Sequence, residues 1–373
     1  MGTAINQAKL NELLARVRRE IDNGILPSCQ LAVAKDGELV AFEAYGDATT
    51  DTRYVMFSST KAVVASAFWQ LLADGSLKTD QRVADVLPEF GTNGKDVITI
   101  EQVMLHTGGF PHAPLGHPAW ANRQQRLAAF SQWRLNWEPG TRYEYHPTSA
   151  HWVLAELIFK VTGVDHREFI AERVTGPLGL DGLQVGTPLD DQDGIATLAV
   201  TGEPATADEL QAAYGISEIP VNEVTDDALL SFNQPDVWTV GVPGGGGVTR
   251  ASDMALFYQA LLHNPARLWP ADLLADVTGK VRNRLPDPLF QVPANRSLGV
   301  VLAGDDGHSA NRGFGRTASP GTFGHGGAGG QIAWADPRSG ISFCYLTNGL
   351  DSNQIRQAKR GVALSSIAAD IGN

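Results

Sequence analysis

The 373-residue chain has only two cysteines, Cys29 and Cys344, at opposite ends of the sequence and each in a strand-like stretch. Two cysteines cannot build a disulfide framework, so two buried free thiols and a cytoplasmic setting are expected. No apolar run reaches the roughly 18 residues that a membrane-spanning helix needs, so no membrane partner is expected. Basic charge is scarce: 29 Lys and Arg stand against 41 Asp and Glu, a net charge of -12. That balance argues against nucleic acid or an anionic lipid surface as a partner. The opening stretch lacks the apolar core and cleavage site of a signal peptide. It has instead the stripe of an amphipathic helix, Leu10, Leu13, Leu14, Val17 and Ile21. No paired carboxylates stand at metal-ligand spacing, and His106, His112, His117, His146 and His151 sit beside Pro and Gly in turn-like segments. Neither a metal nor another cofactor is expected.

A hydrophobic content of 43% is enough for a large core, in one large domain or two smaller ones. Residues 29–34 form a strand, Asp36-Gly37 a tight turn, and residues 39–46 the partner strand. Near the end, "GQIAWAD", the turn "PRSG" and "ISFCYLTNG" make a second hairpin, followed by a helix from Ser352 to about Ile371. Helical spacing runs from Ser58 to about Ala73 with Gly75 placed to end it, through "TIEQVMLHTGG" behind a threonine cap, through "TSAHWVLAELIFKVTG", and through "TRASDMALFYQALLHN" with a cap near Ser252. The stretch 181–245, rich in Asp, Gly and Pro, has no readable periodicity. The expected class is α/β (α+β): an antiparallel sheet from both chain ends flanked by helices, with a mostly helical region inserted. The boundaries are near 1–57 and 240–373 for the sheet and 58–239 for the insertion.

Three short motifs bear on chemistry. In "FSSTK", Lys61 follows Ser58 by three residues at the start of a helix, so the amine shares a face with the hydroxyl about one turn away. A desolvated amine can serve as a base, and a helix N-terminus favours a nearby oxyanion. The plainer reading makes Ser58 a helix cap. No other lysine has a serine three residues before it. In "EPGTRYEYHPTSAHW", Tyr145 falls just before a helix, where a phenol near a lysine can shuttle a proton. In "FGHGGAGGQIAWAD", His325 precedes two glycines and a strand, where backbone N–H groups can face a developing oxyanion. Taken singly, the tyrosine reads equally as turn packing and the glycines as a loop preparing the hairpin. The glycine run in "VPGGGGV" needs backbone freedom or close approach but has no phosphate-loop Lys-Ser/Thr after it.

Together and in this order, Ser58-x-x-Lys61, Tyr145 and His325-Gly326-Gly327 resemble the serine β-lactamase-like family, which includes class C β-lactamases, DD-peptidases and esterases of the same β-lactamase/transpeptidase-like fold. "MLHTGGF" is similar to that family's LLxHTSG segment, and "GGGGVTRASDMALF" to its glycine-rich turn and helix before the third motif. The resemblance covers nearly the whole chain, and the Gly-x-Ser-x-Gly elbow of α/β-hydrolases is absent. It implies Ser58 as nucleophile, Lys61 and Tyr145 sharing the acid–base work, the N–H groups of Ser58 and Ala328 as oxyanion hole, and His325, with Gly326 and Gly327, lining the pocket beside the acyl group.

The chain departs from the family's pattern twice. It reads Tyr145-His146-Pro147 where the family has Tyr-x-Asn, and His325 stands where a Lys-Thr-Gly motif has its lysine. The first change removes an amide donor, and the second replaces a fixed cation with a group mostly neutral at pH 7. Both point to a small-molecule ester substrate, hydrolysed through an acyl-serine. Acyl transfer from the same intermediate, hydrolysis of a β-lactam or D-amino-acid peptide, and a non-catalytic ligand-binding module are the alternatives. The intact set of Ser58, Lys61 and Tyr145 argues against the last. Trp120, Trp133, Trp137 and Trp238 are candidates to line an apolar cleft or to pack in the core. The loops around 110–125, 181–245 and 282–320 are expected to shape the pocket. The sequence does not give the oligomeric state.

Overall fold

The computed structural model describes residues 5–218 and 224–372, so part of the unread stretch 181–245 lies outside the described residues. Strands Ser28–Lys35 and Glu38–Gly46 form the first hairpin. Asp36 and Gly37 between them have φ of 53° and 85°. Two left-handed residues in a two-residue turn match the twist of the flanking strands, which is why Asp-Gly signals a hairpin. Strands Ile332–Asp336 and Ile341–Thr347 form the second. The two hairpins pair antiparallel, with Cys29 opposite Thr347 and Lys35 opposite Ile341. Two short strands, Phe323–Gly324 and Val301–Leu302, extend the sheet at one edge. The sheet is therefore built from both chain ends. Cys29 and Cys344 are buried free thiols within it.

The pleat sorts side chains to two faces. Leu31, Val33 and Phe343 pack with Leu13 and Val17 of helix Gln7–Asp22 and Leu364 of helix Gln354–Ala369. Each such aliphatic contributes about 1.5–3 kcal/mol by leaving water. Ala32 and Ala34 face the other way, and helix Ala251–His263 lies on them. Its Gln259 donates to Ala34 O, Gly340 O and Ser342 Oγ, each at 3.0 Å. The helix starts close to Ser252 as expected, but Arg250 holds the cap position with no side-chain capping bond, and Ser252 lies in the first turn. A tertiary partner supplies what a cap would, since the Ala251 N–H donates to Gln30 Oε1 at 3.0 Å.

The inserted region supplies helices Thr60–Ala73, Ile100–Met104 and Ser149–Thr162. Thr99 and Gln102 close a reciprocal capping box on the second, and Gly163 (φ 74°) ends the third. The stretch that sequence left unread holds short pieces: helices Ala207–Tyr214, Asp226–Leu230 and Pro235–Val240, and a strand, Ala199–Thr201, parallel to Gly349–Asp351. Among the described residues no helix is long and apolar enough to cross a membrane.

Candidate active site

The five residues of "FSSTK" do five different things. Phe57 has φ of 43°, a left-handed conformation rare for a bulky side chain and a mark of local strain. It opens a 3-10 turn, Phe57–Ser59, that leads into helix Thr60–Ala73 and brings Ser58 to a cavity wall. Ser59 turns away and donates to His325 O at 2.8 Å. Thr60 donates to Phe57 O at 2.6 Å and accepts from the Gly247 N–H at 2.9 Å. Upstream, Tyr54–Val55 pairs with Gly247–Thr249. The turn carrying Ser58 is thus tied to the third motif and to the glycine run. None of these bonds uses Ser58 itself, and no side-chain capping bond is made at this helix start.

Lys61 is fully buried. Its Nζ donates to Ser58 Oγ at 3.3 Å, Pro147 O at 2.6 Å and Gly244 O at 2.5 Å. Three contacts match the three donors of an ammonium. Gly244 is glycine for a steric reason: a Cβ there would lie 2.7 Å from Pro147 O. The glycine run therefore lets one backbone close over the lysine while the turn after Tyr145 closes from the other side. Pro147, which replaces the expected asparagine, offers this site only its carbonyl.

Tyr145 is half-buried in the same group. The Lys61 ammonium lies 4.9 Å, and the Arg296 guanidinium carbon 5.0 Å, from its ring centroid. The His325 ring is 6.0 Å away and the His106 ring 4.8 Å. His146, next in sequence, points inward: its Nδ1 bonds Glu144 O at 2.6 Å and its Nε2 accepts from the Phe110 N–H at 3.1 Å.

His325 is buried beside Tyr145. Arg296 Nη1 donates to its Nε2 at 3.0 Å, and its Nδ1 bonds Gly326 O at 2.7 Å. An arginine can only donate, so Nε2 is the acceptor and the ring proton is on Nδ1. Burial first, then the charges of Arg296 and Lys61, holds the imidazole well below its ordinary pKa. The histidine is neutral, as the sequence implies, but the site does not lack a cation. Arg296, from the loop 282–320, supplies it and also donates to Tyr143 OH at 3.0 Å. Sequence reasoning missed Arg296 because no motif surrounds it.

A cavity of about 360 Å3 opens beside Ser58. Leu115, Trp120, Leu229 and Phe232 supply its apolar walls, and among the described residues no charged side chain lines it. Ala328 lines it too, whereas His325, Gly326 and Gly327 do not. Gly327 packs under the turn that carries Ser58, where a Cβ would meet Met56 O at 2.3 Å. Ser58 and Ala328 both stand at the start of 3-10 turns, positions whose N–H groups have no acceptor inside the turn. Such donors can receive a developing oxyanion. Of the four tryptophans, Trp120 alone lines this cavity; Trp133 and Trp238 are buried in the core, and Trp137 is half-buried.

His106, His146 and His151 form a buried group behind Tyr145, with ring centroids 5.7 and 6.1 Å from His106. His112 and His117 instead pair with Glu144 at 2.9 Å and Asp236 at 2.6 Å. Among the described residues no three His, Cys, Asp or Glu side chains are placed to hold a metal ion.

Burial is the first cause that lowers the pKa of His106, His146, His151, His166 and His325, in His146 to about 3. The unfolded chain takes up these protons near pH 6.5 and the native protein does not. Stability is therefore lost as pH falls from about 6.5 towards the depressed native values, more steeply the more of these histidines stay neutral. We expect the urea midpoint to fall steeply between pH 7 and 5, with several protons taken up per chain on unfolding. A midpoint that stays level across that range contradicts neutral, buried histidines.

A family model described as Beta-lactamase matches residues 13–366. The chain is 28% identical to Esterase/beta-lactamase LipL of Mycobacterium tuberculosis, over 86% of this chain and 76% of that protein. Among solved structures it is similar to a penicillin-binding protein homolog from Caulobacter crescentus, with 25% identity, a TM-score of 0.77 and 99% of both chains covered. A family VIII carboxylesterase shares the fold, with 23% identity, a TM-score of 0.78 and 99% of both chains covered.

Proposed function

Because the chain belongs to the beta-lactamase family of serine hydrolases, we propose that it hydrolyses carboxylic esters through an acyl group carried on Ser58. Ser58 Oγ attacks the ester carbonyl carbon while the Lys61/Tyr145 pair takes its proton. The carbonyl oxygen becomes an oxyanion facing the N–H groups of Ser58 and Ala328. The C–O bond to the alcohol then breaks, and the pair returns the proton to the leaving oxygen. Water, deprotonated by the same pair, attacks the acyl carbon, and Ser58 leaves with a proton restored. The two groups stand together at the nucleophile, with the Lys61 ammonium 4.9 Å from the Tyr145 ring centroid.

The observation that carries the ester reading is the apolar cavity beside Ser58, which no charged side chain among the described residues lines. The missing amide donor after Tyr145 supports it as well: Pro147 O is already bonded by Lys61. An amide substrate seated there leaves its own polar groups unpaired, and a buried unpaired group costs about 1–3 kcal/mol. The name of the M. tuberculosis relative, Esterase/beta-lactamase, agrees with this reading and with the β-lactam one alike.

Arg296 favours a second reading, amide hydrolysis of a β-lactam or D-amino-acid peptide. Its guanidinium, against His325, is a fixed cation that a substrate carboxylate can use. Turnover of p-nitrophenyl butyrate and nitrocefin separates the two. We expect kcat/KM for the ester to exceed that for nitrocefin by at least about a hundredfold, the discrimination that a few unpaired polar groups provide. Comparable values, or faster nitrocefin turnover, overturn the ester reading in favour of the amide one.

A further inference from the structure

Behind the cavity at Ser58 lies a second one, of about 250 Å3. Among the described residues Trp120 is the one side chain that lines both. It is held as a fixed wall. Its indole N–H donates to Leu115 O at 2.8 Å, and its ring lies 6.0 Å from that of Phe232. Its own carbonyl accepts from Arg126 Nη1 at 2.6 Å, and Arg126 is clamped in turn by Glu156 Oε1 at 3.0 and 2.7 Å. The backbone clamp does not involve the indole, so a smaller side chain at 120 leaves it standing.

Trp152 and Val240 give the second cavity a buried apolar floor, and the exposed Leu189 stands at its outer rim. The charged groups around it already have partners. Asp165 pairs with Arg167 at 2.7 Å, Asp236 with His117 at 2.6 Å and Arg126 with Glu156 at 2.7 Å. The neutral His166 is bonded to Gly241 O at 2.9 Å. A hydrocarbon tail entering this space meets apolar surface and strips water from no unpaired charge. The first cavity alone, at about 360 Å3, is near the small end of ligand pockets, which span roughly 300–1,000 Å3.

We infer that Trp120 ends the acyl pocket and sets the acyl chain length that the enzyme accepts, with a chamber for longer straight chains closed off behind it. The inference rests on the ester reading above.

The test compares kcat/KM for p-nitrophenyl butyrate and p-nitrophenyl decanoate in wild type, Trp120→Ala, Trp120→Leu and Phe232→Ala. Wild type should favour butyrate. Trp120→Ala should raise the decanoate-to-butyrate ratio by at least about tenfold, since even one methylene accepted or refused is worth about 10- to 200-fold. Trp120→Leu keeps more packing, and a smaller rise in the same direction carries the test if the alanine variant does not fold. Phe232 lines only the first cavity but its ring packs against Trp120, so Phe232→Ala should raise the ratio less than Trp120→Ala does, by no more than about threefold. An unchanged ratio in both Trp120 variants, or an equal rise in Phe232→Ala, overturns the inference while Ser58-dependent butyrate turnover keeps the ester reading intact. If neither ester is turned over in a Ser58-dependent way, the ester reading itself falls.

Discussion

Ser58→Ala should abolish ester turnover, lowering kcat by about 10⁵- to 10⁶-fold, the loss seen when a serine hydrolase is deprived of its nucleophile. The protein should nonetheless fold. The hydroxyl's hydrogen bond is a 3.3 Å contact from Lys61, whereas the ties that hold the turn run through Ser59 and Thr60. A shift within about 0.5–1 kcal/mol is expected for so small a change. Melting temperature and turnover together make the test decisive. Unchanged stability with turnover lost supports the nucleophile role, and turnover equal to wild type eliminates it. Ser59→Ala provides the contrast. It removes the 2.8 Å bond to His325 O, so it should cost stability, with catalysis retained in the folded fraction.

The second large effect is expected for Tyr145→Phe. The phenyl ring keeps the stacking beside His106 and His325 and the cation contacts with Lys61 and Arg296. Only the hydroxyl goes. Removing a positioned proton carrier costs about 10²- to 10⁴-fold, and because it acts in the chemical step the loss should fall on kcat with KM little changed. A kcat within threefold of wild type would exclude Tyr145 from proton transfer and leave Lys61 to act alone. A rise in KM with kcat intact would assign the hydroxyl to binding instead.

What the sequence made legible depends on how local the physics is. The first hairpin was readable because Asp36 and Gly37 supply the two left-handed residues that one turn type demands. The long helices were readable from their apolar spacing, and the catalytic candidates from the order of three motifs. Arg296 was not readable, because it lies in an irregular loop and gains its meaning only by meeting His325 across 29 positions of chain. Phe57 was equally opaque. Glycine announces a left-handed residue and phenylalanine does not, so the strained turn that presents Ser58 leaves no trace in composition. Part of the unread stretch did carry a signal. Thr206 and Glu209 form a reciprocal capping box on Ala207–Tyr214, a spacing visible in "TADE". The start of Ala251–His263 went the other way, since a serine offered itself as the cap while Gln30, 221 positions upstream, satisfied the first N–H.

The roles of Ser59 and Thr60 show why a motif understates a site. Ser58 and Lys61 carry the recognisable chemistry, but the two residues between them bond to His325 O, Phe57 O and the Gly247 N–H. Those bonds draw the first motif, the third motif and the glycine run to one point.

The central claim, that Ser58 carries the acyl group, is tested most directly by trapping. An alkyl p-nitrophenyl phosphonate mimics the tetrahedral intermediate and leaves its alkylphosphonyl group on an activated serine as p-nitrophenol departs. Mass spectrometry of the digested protein should then find one adduct per chain, on Ser58 and not Ser59, formed in step with loss of ester turnover and absent from Ser58→Ala. Loss of turnover with the adduct on another residue, or full turnover with no adduct formed, would contradict the acyl-serine account.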